Sequence, residues 1–190
     1  MSRLRWTEGK PLRILDFDTE CRPMHYSEWR DESQITAIAW GWIGSRTVEY
    51  EILEQDESNE ESMLARFLED YAAADIVTGH YIMRHDLPLL NDHCMRFGWR
   101  KLAPKRVQDT KLLPKVKGLG LSQENLSTLF ELTEKKHHMN GRKWARSNAL
   151  SPEGREQARM RVVGDVRQHK ALRRALLDRG YLKSPRVWAP

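Results

Sequence analysis

The stretch Ile14-Leu15-Asp16-Phe17-Asp18-Thr19-Glu20 begins apolar and turns acidic toward its C-terminal end. As a β-strand it places Asp16, Asp18 and Glu20 on one face and Leu15, Phe17 and Thr19 on the other, because side chains alternate with a period of two. Carboxylates crowded on one patch repel one another. Such a patch persists when a cation sits on it or when one carboxyl keeps its proton. A hard divalent ion meets that need. The competing reading is a strand end that runs into a solvated acidic loop, and the rest of the chain has to separate the two.

A chain of 190 residues, 39% hydrophobic and 31% charged, buries a real core and is not a disordered polymer. It is expected to form a single domain over residues 1–190. The opening Met-Ser-Arg-Leu-Arg-Trp-Thr-Glu-Gly-Lys has no apolar signal core, and no later segment has the length and apolarity of a membrane span. The expectation is a cytoplasmic protein with no membrane partner. Cys21 and Cys94 have no metal-binding spacing, so neither a disulfide framework nor a zinc site is indicated.

The net charge of +5 is unevenly spread. Residues 1–114 hold fifteen Lys/Arg against twenty Asp/Glu, and residues 115–190 hold seventeen against seven. An acidic half that carries the carboxylate patch is joined to a strongly basic half. That asymmetry suits a polyanion lying across a carboxylate-held metal, since Lys and Arg supply the affinity for phosphate that carboxylates oppose. A solvated helical surface rich in Arg gives the same charge pattern.

Periodicity predicts the remaining elements. Residues 22–33, rich in Pro, charge and aromatics, read as a loop; 34–43 and 47–52 read as strands that complete an antiparallel meander. Met63, Leu64, Phe67, Leu68 and Tyr71 fall at helical spacing within 59–73. A short buried strand at 75–80 contains Gly79, which allows a close backbone approach. A helix starts at Asp86 with Pro88 in its first turn, and Val107 to Thr110 form one more short strand. Ser122 caps a helix to Leu132, residues 135–144 read as a basic loop, and Ser151-Pro152 opens a final helix to Arg179, with a break at Gly164. Trp40, Trp42 and Trp99 are assigned to the core. The order implies an α/β fold with a mixed sheet flanked by helices.

Two segments then gain a common meaning. Asp18-Thr19-Glu20 together with Gly79-His80-Tyr81-Ile82-Met83-Arg84-His85-Asp86-Leu87-Pro88-Leu89-Leu90 resembles the DEDD superfamily of 3′-to-5′ exonucleases, of the proofreading type, whose domain has a ribonuclease-H-like fold. That superfamily shows D-x-E on its first strand, a G-H-N-x-x-x-F-D-L-P-x-L type segment, and a last Asp on its final helix. Gly79, His80, Asp86, Leu87, Pro88 and Leu90 keep the second pattern, whereas Tyr81 stands where Asn is usual and His85 where Phe is usual. The third motif is usually Tyr-x-x-x-Asp-Val or His-x-x-x-x-Asp. Asp165-Val166 match its end, but Arg161 takes the Tyr position and Met160 the alternative His position. The resemblance runs roughly from Arg13 to Leu177.

It implies that Asp18, Glu20, Asp86 and Asp165 together hold two divalent ions, Mg²⁺ or Mn²⁺, which prefer hard oxygen ligands. Two such ions can activate a water, position a phosphate and stabilise the departing oxygen. On a helix, Asp165 shares a stripe with Val162, Val166, His169 and Leu172, so its carboxylate faces the core side and needs a partner. Arg161 or Arg167 could serve as that partner instead of a metal. Asp86 has a second role open to it, as first-turn acid of its helix. Asp16 shares the face of Asp18, but Asp18-Thr19-Glu20 is the register that matches the superfamily.

The proton acceptor is left open. Arg161 is permanently charged and suits a scissile phosphate. His169, one turn after Asp165, has an imidazole suited to accepting a proton near pH 7, and a packed, hydrogen-bonded histidine is its competing reading. His85 is a weaker choice, and the chain has the option of no separate base. Lys135, Lys136, Arg142, Lys143 and Arg146 are expected phosphate contacts, with Trp144, and also Tyr26 or Trp29, for base stacking.

The reading is a metal-dependent exonuclease acting at the 3′ end of single-stranded nucleic acid, DNA slightly before RNA, releasing 5′-mononucleotides, with replication or repair proteins as possible partners. The alternative is a degenerate exonuclease domain that binds nucleic acid or protein without efficient hydrolysis.

Overall fold

The structure is a computed structural model that describes residues 10–24, 32–112, 116 and 118–190. Tyr26 and Trp29 lie outside the described residues. Six strands form one sheet: β1 (Ile14–Met24), β2 (Glu32–Trp42), β3 (Glu49–Ile52), β4 (Ile76–Gly79), β5 (Lys105–Asp109) and β6 (Arg186–Trp188). Their order is β3-β2-β1-β4-β5-β6. β1 pairs antiparallel with β2 and parallel with β4; β4 and β5 are parallel, and β6 returns antiparallel on β5. The expected mixed sheet is therefore present, with the acidic strand at its centre.

The helices are α1 (Glu60–Ala73), α2 (Asp86–Arg96), α3 (Gln123–Leu129), α4 (Gly141–Asn148) and α5 (Pro152–Asp178). Leu15 and Phe17 of β1 are fully buried in the main core with Met63, Leu64 and Phe67 of α1 and Leu87, Leu90 and Cys94 of α2. The opposite face of the sheet receives α5, through Ala37 and Ala39 of β2 against Ala158, Val162, Val163 and Val166. The period-two alternation of β1 thus splits its residues between an apolar layer and the layer where α5 lies. Leu126 of α3 and Leu172 and Leu176 of α5 make a third cluster. Trp40 is core, and Trp42 and Trp99 pack at its margin.

Two local features bring α5 and β1 together. Ala39 pairs with Asp18 and Ala37 with Glu20, so the smallest core side chains of β2 lie beside the two carboxylates and let the helix approach. The register shifts between Glu20 and Cys21, which leaves Thr36 as an extra residue in β2. That bulge lets Ile35 and Ile38, three apart, share one buried core. At the start of α5, a Cβ on Gly154 would collide with the carbonyl of Arg146, so the contact with the end of α4 requires glycine. Gly79 does what its place in the strand suggests: a Cβ there would come within 2.7 Å of the Phe17 carbonyl oxygen.

Three sequence expectations need correction, and one strand was not expected. β1 continues to Met24 and β2 begins at Glu32, so the segment read as a loop from residue 22 is partly strand. The basic segment 135–144 is not a loop throughout, because Asn140 caps α4 by accepting a hydrogen bond from the Lys143 amide. α5 runs through Gly164 without a break for 27 residues. β6 had no counterpart in the sequence reading. Among the described residues, no helix is long and apolar enough to cross a membrane.

Candidate metal centre

Two elements of the fold place the side chains of the centre. β1 supplies Asp18 and Glu20 from its α5-facing side, and α5 supplies Asp165 from the stripe it shares with Val162, Val166 and His169. One carboxylate oxygen from each of Asp18, Glu20 and Asp165 lies within 4.8 Å of the others. Asp165 is buried, while Asp18 and Glu20 are half-buried.

Asp86, at the first position of α2, stands beside this group and is engaged differently. Its Oδ1 accepts the Thr19 amide at 3.0 Å and the Thr19 hydroxyl at 2.6 Å. Its other oxygen, Oδ2, lies 3.5 Å from His85 Nδ1. The turn that delivers Asp86 is held by Asp109, whose Oδ1 accepts the Tyr81 amide and whose Oδ2 accepts the Met83 amide, both at 3.1 Å. Tyr81 in that turn has φ 74, a left-handed conformation that Asn tolerates far better than Tyr.

Crowding shows in the electrostatics. Burial, and then the charges of Asp165, Asp86 and Glu20, raise the Asp18 carboxyl well above its ordinary range, against a lowering by Lys136. Burial and Asp165 push Glu20 up to about 7, with Arg161 and Lys136 opposing. Protein cations already touch the group. Arg161 Nε lies 3.1 Å from Asp165 Oδ2 and 3.3 Å from Glu20 Oε1, and Lys136 Nζ lies 3.3 Å from Asp165 Oδ2. The Asp165–Arg161 pairing that the sequence left open is therefore formed.

The donors fit a hard divalent ion. They are three carboxylates with no thiolate or imidazole among them, which suits Mg²⁺-like ions more than softer ones. Asp165 Oδ1 is buried without a hydrogen-bond partner among the described residues, which marks a place where positive charge is lacking.

His169 is not part of this constellation. It is fully buried, with Nε2 3.0 Å from Gln123 Oε1 and Nδ1 3.5 Å from Asp16 Oδ1. Asp16, also fully buried, points to a separate polar layer under α5, where burial raises its carboxyl and His169, Lys170 and Arg173 oppose that rise. His85 is half exposed, and its hydrogen bonds to Asp86 and then Cys21 push it up to about 10. At neutral pH it carries a proton and is a donor.

The expected phosphate contacts divide. Lys135, Arg142 and Arg146 are exposed, whereas Lys136 is turned to Asp165. Lys143 Nζ donates to the His138 carbonyl at 2.9 Å, and Trp144 is half-buried on α4. A cavity of about 450 Å³ opens beside Lys136, lined also by Lys135, His138, Gln168 and Glu134. Sequence reasoning gave Lys136 to the nucleic acid and gave Thr19 no role. The helical capping signal of Asn140 was present in the sequence and would have found α4.

No protein-family model matches the chain. No curated protein matches it. Among solved structures it is similar to the family B DNA polymerase from the hyperthermophilic archaeon Pyrobaculum calidifontis, with a TM-score of 0.65 and 18% identity, over 88% of this chain and 25% of that one. The chain spans a quarter of the polymerase's length. A likeness at this identity shows the fold: α/β, a ribonuclease-H-like mixed sheet flanked by helices.

Proposed function

We propose that this chain is a metal-dependent 3′-to-5′ exonuclease that removes 5′-mononucleotides from single-stranded nucleic acid. The observation that carries the reading is the convergence of Asp18, Glu20 and Asp165 from β1 and α5, with Asp86 beside them. The direction of attack rests on the resemblance of the three motifs to DEDD exonucleases, and the likeness to a DNA polymerase favours DNA over RNA.

Asp18, Glu20 and Asp165 would hold the ion, Mg²⁺ or Mn²⁺. When bound, it supplies activation of a water and neutralises charge building on the phosphate. The chain's own residues do the rest. Asp86, tied to Thr19, locks the second motif to the first and keeps Asp18 in register. Arg161 and Lys136 lie close enough to the carboxylates to meet a phosphate brought there, and the protonated His85 at the rim can donate to it. Lys135, Arg142 and Arg146 offer exposed charge for the preceding phosphates, and Trp144 an aromatic edge for a base. Neither histidine offered by the sequence is a neutral acceptor at the carboxylates: His169 is enclosed and His85 is protonated. The roles assigned to these residues are positioning and charge.

A second reading is a binding module without turnover, favoured by Arg161 and Lys136 already pairing with the carboxylates. Both are tested by incubating single-stranded DNA and RNA with Mg²⁺ or Mn²⁺, alongside Asp18→Ala and Asp165→Ala. Metal-dependent hydrolysis lost in both variants supports the enzyme. Salt-sensitive binding with no hydrolysis supports the module.

A further inference from the structure

The two protein cations at the carboxylates are held in place by more than their ion pairs. Arg161 sits one turn before Asp165 on α5, and its Nη1 donates to the His137 carbonyl at 3.0 Å. The segment that carries Lys136 is fastened along the same helix on either side of it. Gln168 Nε2 donates to the Glu134 carbonyl at 2.9 Å, and His137 Nε2 lies 2.6 Å from Gln157 Oε1. Gly164 faces this segment, where a Cβ would meet the Lys135 carbonyl oxygen at 3.7 Å. Lys136 is thus placed over Asp165 by a strap with pinned backbone, whereas a freely swinging surface lysine would have no such restraint.

Both cations approach the same oxygen, Asp165 Oδ2, and leave Oδ1 buried and unpartnered among the described residues. Four ionised carboxylates balance two divalent ions. With the Arg161 guanidinium and the Lys136 ammonium at contact distance from Asp165, and His85 facing Asp86, the remaining negative charge balances at most one. A second dication would meet like charges at contact distance, where repulsion is poorly screened. It would also find few free oxygens, since Asp86 Oδ1 already accepts two hydrogen bonds from Thr19.

We propose that the centre binds a single divalent ion on Asp18, Glu20 and Asp165, and that Lys136 and Arg161 supply the positive charge a second ion would bring. The inference rests on the exonuclease reading for the use of the site, but its test reads metal stoichiometry and not turnover. The full chain is titrated with Mn²⁺ and followed by electron paramagnetic resonance and calorimetry. One Mn²⁺ is expected per wild-type chain and per Lys136→Arg chain, which keeps the charge. Lys136→Met and Arg161→Gln, each an independent variant, are expected to take up a second Mn²⁺ with affinity raised at least tenfold and a dipolar-broadened signal from the ion pair. Two ions in the wild type, or one in the wild type and in both charge-removing variants, overturn the inference. Two ions with DNA hydrolysis leave the exonuclease reading intact. One ion with no hydrolysis of any nucleic acid overturns the exonuclease reading and leaves the stoichiometry standing. No ion bound overturns both.

Discussion

Asp86 Oδ1 accepts hydrogen bonds from both donors of Thr19, the amide at 3.0 Å and the hydroxyl at 2.6 Å. The first turn of α2 is thereby fixed to the strand that carries Asp18 and Glu20. A short hydroxyl bond to a carboxylate contributes about 1.5–3 kcal/mol, and its loss leaves a buried charge with one partner fewer. Thr19→Val, nearly equal in volume, is expected to lower unfolding stability by about 2 kcal/mol in urea. Mn²⁺ binding should persist, since none of the three clustered carboxylates is altered. A variant as stable as the wild type would show that the pairing does not hold the two motifs together.

Glu20 sets a pH dependence with a definite sign. Burial and Asp165 push its carboxyl from 4.5 to about 7. The folded chain keeps this proton up to about 7, whereas the unfolded chain releases it near 4.5. The folded state binds more protons between these values, so stability falls as pH rises through the window. In chelator, Glu20→Gln should gain stability over the wild type by roughly 3 kcal/mol between pH 5 and pH 8. Mg²⁺ should bind more weakly on acidification below about pH 7, because it competes with that proton. Denaturant titrations at the two pH values check the sign; an unchanged difference between the variants would remove Glu20 from the crowded group.

His169 has a different lesson. Enclosed between Gln123 and Asp16, it has no open path to a water at the carboxylates. His169→Asn is expected to cost about 1–3 kcal/mol by leaving the buried polar groups of Asp16 and Gln123 without their neighbour. The pH profile of hydrolysis should keep its shape and midpoint. A lost alkaline or acidic limb would assign the imidazole to the proton transfer after all.

Tyr81 pays for its place in the turn before α2. At φ 74 a residue with a Cβ is strained by about 1–2 kcal/mol, and Asn relieves part of that. The ring in return stacks under Lys111, whose Nζ lies 4.0 Å from its centroid, a contact of about 0.5 kcal/mol between two half-buried side chains. Tyr81→Asn is expected to raise stability by about 0.5 kcal/mol on balance. Thermal unfolding checks it, and a fall would mean the ring contact outweighs the backbone strain.

The sheet and α5 were legible because their signals are local. Period-two alternation from Ile14 to Glu20 sorted Leu15 and Phe17 from the acids, and helical spacing put Asp165 on the same stripe as Val162 and Val166. Asp86 was readable as the acid at a helix start. α4 escaped because Gly141 to Asn148 is short, strongly polar and opens on a glycine; it is held by the Asn140 cap and by Gly154 meeting Arg146. The three residues of β6 are too few to carry a pattern. The contact of Lys136 with Asp165 depends on the strap along α5, a tertiary arrangement that no window of sequence contains. Asp16 and Asp18 look alike on the strand, yet one lies under His169 and the other beside Glu20, and only the packing of α5 distinguishes them.

The most direct test of the exonuclease reading follows a single-stranded DNA labelled at its 5′ end, with the 3′ end either free or blocked by an inverted nucleotide, in Mg²⁺ or Mn²⁺. The expected result is a ladder that shortens from the free 3′ end, releases 5′-mononucleotides, stops at the block and disappears in Asp18→Ala and Asp165→Ala. Cleavage indifferent to the block, or no metal-dependent cleavage by a chain that binds the strand, would contradict it.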